Sequence, residues 1–233
     1  MKNHLISYAA ALTLTACALA AAAPAQAGTQ HVTVTTGALN GAGTYYVEFT
    51  LTDGSGLGDG NSFAGVSNFS VNGGSLGAVL PPTTGDVTGS LGAGHTLGLT
   101  DSNAGSGGLA DFAQGFTITN PSATLGFDLT LTDTSVDPVT PDGFTFQLLD
   151  GSFNPIATTG PTGTELVGAD FTSISPGATG YSSNGVYSPP IIATISPVVS
   201  ATVPEPSAYA ALALGALTLG GVMLRGRRRA RVA

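Results

Sequence analysis

Three stretches of the chain alternate apolar and polar residues with a period of two. In the first, Tyr45, Val47, Phe49 and Leu51 share one face and Tyr46, Glu48 and Thr50 the other. In the second, Leu125, Phe127, Leu129 and Leu131 stand opposite Thr124, Gly126, Asp128, Thr130 and Thr132. The third sets Phe144, Phe146 and Leu148 against Thr145 and Gln147. Side chains on a strand point alternately to opposite faces, so each stretch reads as a strand with one buried face. Weaker alternation predicts further strands at 32–36, 63–71, 87–91, 96–100, 112–119, 166–172 and 191–196. Clusters of Gly, Pro, Asn and Asp separate them, as turns require. No window of this middle region has a helical period with caps, so the expectation is all-β. About ten short antiparallel strands close most readily as a single β-sandwich, jelly-roll-like in strand number. The glycine-rich region 73–94 reads as a long loop, and 175–190 as irregular coil before a last strand.

The two ends of the chain have a different pattern. Met1-Lys2-Asn3-His4 opens an apolar run that reaches about residue 23, and Ala25-Gln26-Ala27 comes next as small-x-small. This is the layout of a secretory signal peptide, and it predicts cleavage after Ala27 by signal peptidase. Leu14-Thr15-Ala16-Cys17 competes within the same segment as a lipobox, which would leave Cys17 lipidated. At the other end, residues 208–224 carry no charge, a length at the short end for a membrane helix. Arg225, Arg227, Arg228, Arg229 and Arg231 come directly after it. A guanidinium costs about 2.5–3.5 kcal/mol at the centre of such a helix, so this block stops transfer and stays on the cytoplasmic side. Val203-Pro204-Glu205-Pro206 stands just before the span. Two prolines around Glu205 force an extended, acidic peptide that no helix can continue into.

The tail, made of this motif, a short span and an arginine cluster, resembles the PEP-CTERM sorting signal of exopolysaccharide-producing Gram-negative bacteria. The resemblance implies an exosortase-type membrane protease that recognises Val203, Pro204, Glu205 and Pro206 and removes the span and the arginines. It also implies transient residence in the inner membrane, then the cell surface or the extracellular matrix of a biofilm. The chain thus divides into a signal peptide (1–27), a β-sandwich domain (28–200) and a sorting signal (201–231). The stretches around Tyr45-Tyr46-Val47-Glu48-Phe49, Asp142-Gly143-Phe144-Thr145-Phe146 and Thr158-Thr159-Gly160-Pro161 resemble a group of proteins with this tail, which supports one domain and adds no activity.

Charge narrows the partners. All six basic residues lie at the ends, Lys2 and the five arginines, while residues 28–200 hold thirteen of the fourteen acids. A surface this acidic repels nucleic acid and anionic lipid. It can form no Lys or Arg salt bridge. After cleavage at Ala27 it also has no cysteine, hence no disulfide.

The inventory for catalysis is thin. A Ser-His-Asp hydrolase needs a histidine to take the nucleophile's proton, and the domain offers only His31 and His95, without a nucleophile-elbow motif. Zinc would want Cys or clustered His. Paired carboxylates could hydrolyse glycosides, but with thirteen acids such pairs arise by chance. Calcium, which takes six to eight oxygens, suits the composition better. Asp53, Asp59 and Asn61 fall in one glycine-rich loop, although their spacing is not that of an EF-hand; Asp133, Asp137 and Asp142 form a second candidate group. Asp142-Gly143-Phe144 also faintly resembles the strand start of legume-type lectins, in which that Asp contacts sugar. The leading expectation is a non-enzymatic exported protein without a cofactor, associated with exopolysaccharide. The alternatives are a calcium-assisted carbohydrate-binding module and a secreted carboxylate-dependent hydrolase.

Overall fold

The computed structural model describes residues 28–134, 137, 139–173 and 176–197. The expected signal-peptidase site (Ala25, Ala27), Cys17, the sorting motif (Val203, Pro204, Glu205, Pro206) and the stop-transfer arginines (Arg225, Arg227, Arg228, Arg229, Arg231) lie outside the described residues. Among the described residues, no helix is long and apolar enough to cross a membrane.

Two antiparallel six-stranded sheets make the domain. The first orders β12 (Ala193–Pro197), β1 (Thr29–Thr35), β8 (Thr124–Asp133), β3 (Ser62–Asn72), β6 (Thr96–Thr100) and β5 (Asp86–Gly89) from edge to edge. The second orders β11 (Thr179–Gly180), β10 (Glu165–Asp170), β9 (Gly143–Leu149), β2 (Thr44–Thr52), β7 (Leu109–Ile118) and β4 (Gly74–Thr84). The strongly alternating stretches become β2, β8 and β9, which sit inside the sheets rather than at their edges. Central position and alternation go together, because only an inner strand has a full set of neighbours on its buried face.

The core is one continuous cluster shared by both sheets. Phe49 of β2 lies across from Phe127 of β8, ring centroids 5.4 Å apart at 84°, and from Phe69 of β3 at 6.1 Å and 83°. Phe146 of β9 adds a ring 4.9 Å from Phe49 and 5.2 Å from Phe127. The edge-on contacts of Phe49 with Phe127 and Phe69, and the tilted contact of Phe146 with Phe127, join the two sheets face to face, so the fold is a β-sandwich. Each phenylalanine so buried contributes about 1.5–3 kcal/mol from transfer out of water, before the ring contacts are counted.

Two sequence expectations need correction. Region 73–94 is not a long loop: β4 and β5 occupy most of it and join at a tight turn. The strand was hidden by composition, since β4 reads Gly-Ser-Leu-Gly-Ala-Val-Leu-Pro-Pro-Thr-Thr. It is tolerated because β4 is an edge strand, where a missing proline N–H breaks no inner ladder. Its register against β7 shifts between Leu80 and Thr84, the interval that contains Pro81 and Pro82. Region 175–190 is not wholly irregular either. It contains β11, which pairs with β10, and Ser182 and Ser183 make isolated bridges to Ile192 and Thr158.

A candidate cation site at one end of the sandwich

Antiparallel pairing brings particular strand ends together. Thr52, the last residue of β2, pairs with Leu109 at the start of β7 and with Gly143 at the start of β9. Ser62 at the start of β3 pairs with Asp133 at the end of β8, and Phe63 pairs with Thr100 at the end of β6. The acids next to these termini therefore gather at one end of the domain. Asp53, Asp101, Asp133 and Asp142 are all buried there, and Asp59 lies in the loop above them.

Asp53 organises the β2–β3 loop. Its Oδ1 accepts the backbone N–H groups of Ser55 at 2.6 Å and Gly56 at 3.0 Å, and its Oδ2 accepts that of Gly58 at 2.6 Å. Burial pushes the carboxyl up, but the Ser55 hydroxyl and these N–H donors together outweigh it and hold the carboxyl below the usual carboxylate range. Gly58 adopts φ +67°, a left-handed conformation that an L side chain would strain. Gly108, just before β7, passes so close that a Cβ there would stand 2.3 Å from the Cβ of Asp53. Glycine is required at that crossing.

Asp101 comes from the opposite sheet, directly after β6. It is completely buried. Oδ1 accepts the N–H of Ser62 at 3.2 Å, whereas Oδ2 is buried without any hydrogen-bond donor. Burial, together with the charges of Asp142 and Asp59, pushes its carboxyl up to about 6. One carboxylate oxygen from each of Asp53, Asp59 and Asp101 lies within 4.8 Å of those of the other two. The expected loop thus supplies two members of the group, and the third comes from a distant turn that the loop sequence did not announce.

The remaining residues singled out from the sequence take other roles. Asn61 donates its amide N–H to Asp59 Oδ2 at 3.0 Å, so it buttresses Asp59. Asp142 is buried; its Oδ1 accepts the N–H of Gly54 at 2.9 Å and its Oδ2 the hydroxyl of Ser62 at 2.6 Å. Asp142 thereby ties the β2–β3 loop and the start of β3 to β9, and its oxygens are not among those that converge with Asp53, Asp59 and Asp101. Asp137 is at the surface and closes its own turn onto Val139 and Thr140.

The two histidines of the domain lie elsewhere. His31 Nδ1 meets Asp128 Oδ1 at 2.7 Å on the outer face of the first sheet, and Asn68 Nδ2 donates to the other oxygen of Asp128 at 2.8 Å. Burial raises Asp128, yet the bonds from Asn68 and His31 bring it below its ordinary value. Ser70, the nearby hydroxyl, donates to the carbonyl of Gly126. His95 Nδ1 lies 3.2 Å from the Ser90 hydroxyl. An open cleft of about 420 Å³ runs along β9 and β10 and is lined by Glu165 and Asp170. Burial first, and then the charge of Asp170, raise Glu165 above the usual carboxylate range.

Comparison with known proteins returned no match at the level of family, curated sequence or solved structure.

Proposed function

We propose that this chain is an exported, non-enzymatic protein of the cell surface or extracellular matrix, processed by an exosortase-type protease and associated with exopolysaccharide. One observation carries the reading: Val203-Pro204-Glu205-Pro206 stands directly before an uncharged run at 208–224 that ends in five arginines. No single part is specific. In this order they provide a recognition peptide, a membrane stop and an orientation. The signal-peptide pattern that ends at Ala25-Gln26-Ala27 supplies the matching start of the route. The domain between them agrees with delivery outside the cell, where a chain without usable thiols depends on its core for stability.

The test is the intact mass of the protein recovered from native cells, with cell fractions separated. A mass that begins at Gly28 and ends near Pro204–Pro206, in the surface or extracellular fraction, is the expected result. A mature protein that keeps its arginines in the inner membrane overturns the proposal, and a diacylglycerol on Cys17 replaces it with a lipoprotein.

A further inference from the structure

We propose that Asp53, Asp59 and Asp101 bind one hard divalent cation of the Ca2+ class, which clips the β2–β3 loop of one sheet to the end of β6 in the other. This goes beyond the sorting reading and stands whatever becomes of the tail.

An acidic cluster alone would not carry the inference, since surface acids gather without ions. Here a second observation points to a ligand: Oδ2 of the wholly buried Asp101 has no donor. Leaving a buried carboxylate oxygen without a donor is strongly unfavourable, and proteins as a rule satisfy such atoms. The usual remedy is a lysine or arginine, and residues 28–200 contain neither. With no Lys or Arg in the domain to neutralise it, a cation from outside the chain fits this position.

The donor set selects the kind of ion. All three side chains offer oxygen, and neither histidine nor cysteine belongs to the group. That favours a hard cation over zinc or copper. The three carboxylate oxygens all fall within 4.8 Å of one another, so a single ion can reach all of them. Calcium accepts six to eight oxygens in flexible geometry, whereas magnesium demands a near-ideal octahedron and keeps several of its waters, so a flexible glycine-rich loop suits calcium better. The glycine-rich loop 54–60 can bring backbone carbonyls and water to complete six to eight ligands.

The surroundings also prearrange the group. Ser62 donates its N–H to Asp101 and its hydroxyl to Asp142, which in turn accepts the N–H of Gly54. Asp101 and the loop that carries Asp53 are thereby held in register by one residue, and Asn61 steadies Asp59.

The experiment uses the full chain in detergent, stripped with chelator and titrated with CaCl2, MgCl2 or ZnCl2 by calorimetry, with melting curves alongside. One Ca2+ per chain should bind in the millimolar range or tighter, as extracellular calcium modules do, and Mg2+ more weakly. The melting point should rise with Ca2+ concentration, as for any ligand of the folded state. Asp101→Asn and Asp59→Asn should each weaken Ca2+ binding by at least about tenfold, the loss that removing even an outer partner of a metal ligand produces. Asp137→Asn, outside the group, should bind as the parent does. In chelator, Asp101→Asn should melt no lower than the parent, because it removes a buried charge that nothing neutralises. A purely structural role for Asp101 makes the opposite prediction. If Asp101→Asn does not fold, the exposed Asp59 decides through Asp59→Asn. No binding at millimolar Ca2+, or binding that survives both variants, overturns the proposal.

Discussion

Phe49→Ala is the perturbation that most directly tests whether the two sheets face each other. The side chain is fully buried, and four phenylalanine rings lie around it, at 4.9 Å (Phe146), 5.4 Å (Phe127), 6.1 Å (Phe69) and 6.4 Å (Phe144). Truncating a core phenylalanine costs about 3–5 kcal/mol, the higher values occurring where the site cannot collapse. Strands that hold rings from both sheets leave little room for collapse, and each ring pair adds about 0.5–1.5 kcal/mol beyond area. The upper half of the range is therefore expected. Against a total stability of about 5–15 kcal/mol, that is a quarter or more. The assay is urea unfolding of the full chain in detergent, followed by far-UV circular dichroism and by tyrosine emission, since the chain has no tryptophan. A double-mutant cycle with Phe49→Leu and Phe127→Leu isolates the contact between sheets, with an expected coupling of about 0.5–1.5 kcal/mol. A loss below about 1 kcal/mol for Phe49→Ala, or no coupling in the cycle, would show that Phe49 and Phe127 do not share a core and would refute the face-to-face packing of the sheets.

Two more outcomes are expected from the geometry. Burial first, and then the charge of Glu48 on the neighbouring strand, push Asp111 up to about 6. A carboxyl raised in the folded state contributes stability below its unfolded value of 3.8, and that contribution is lost as pH rises through about 6. The full shift corresponds to about 3 kcal/mol, and partial exposure reduces this to about 1–2 kcal/mol. Asp111→Asn should therefore stabilise the protein at pH 7 and flatten the pH dependence of its melting point between about pH 4 and 6; an unchanged pH profile would argue against it. Gly108→Ala would place a Cβ 2.3 Å from the Cβ of Asp53 at φ +73°, so a loss of about 2 kcal/mol or more in urea unfolding is expected. Parent-like stability would mean that the β6–β7 turn does not approach Asp53 this closely.

Where pattern and packing coincide, the fold was legible in the chain. The alternation from Thr44 to Thr52 gave β2 with its boundaries, because every odd position from Tyr45 to Leu51 meets the core. It failed at β4, where two glycines and two prolines erase the signature. An edge strand needs fewer N–H donors and less packing than a central one. The site was half legible for a related reason. Asp53 and Asp59 share a loop, so proximity in sequence was enough to pair them. Asp101 joins them through the meeting of β6 and β3, a long-range contact that no local motif encodes. Asn61 shares the loop with Asp53 and Asp59, and its amide N–H turns onto Asp59.

The proline-bearing edge of the second sheet has a consequence for crowding. A strand edge is a template on which another chain can pair, and identical copies held side by side would meet edge to edge. Along β4 the template is interrupted: Pro81 and Pro82 offer no N–H, and the ladder loses register at the same place. A visiting strand could match only part of its bonds there. Copies of this domain held close together can thus stay separate instead of polymerising along that edge.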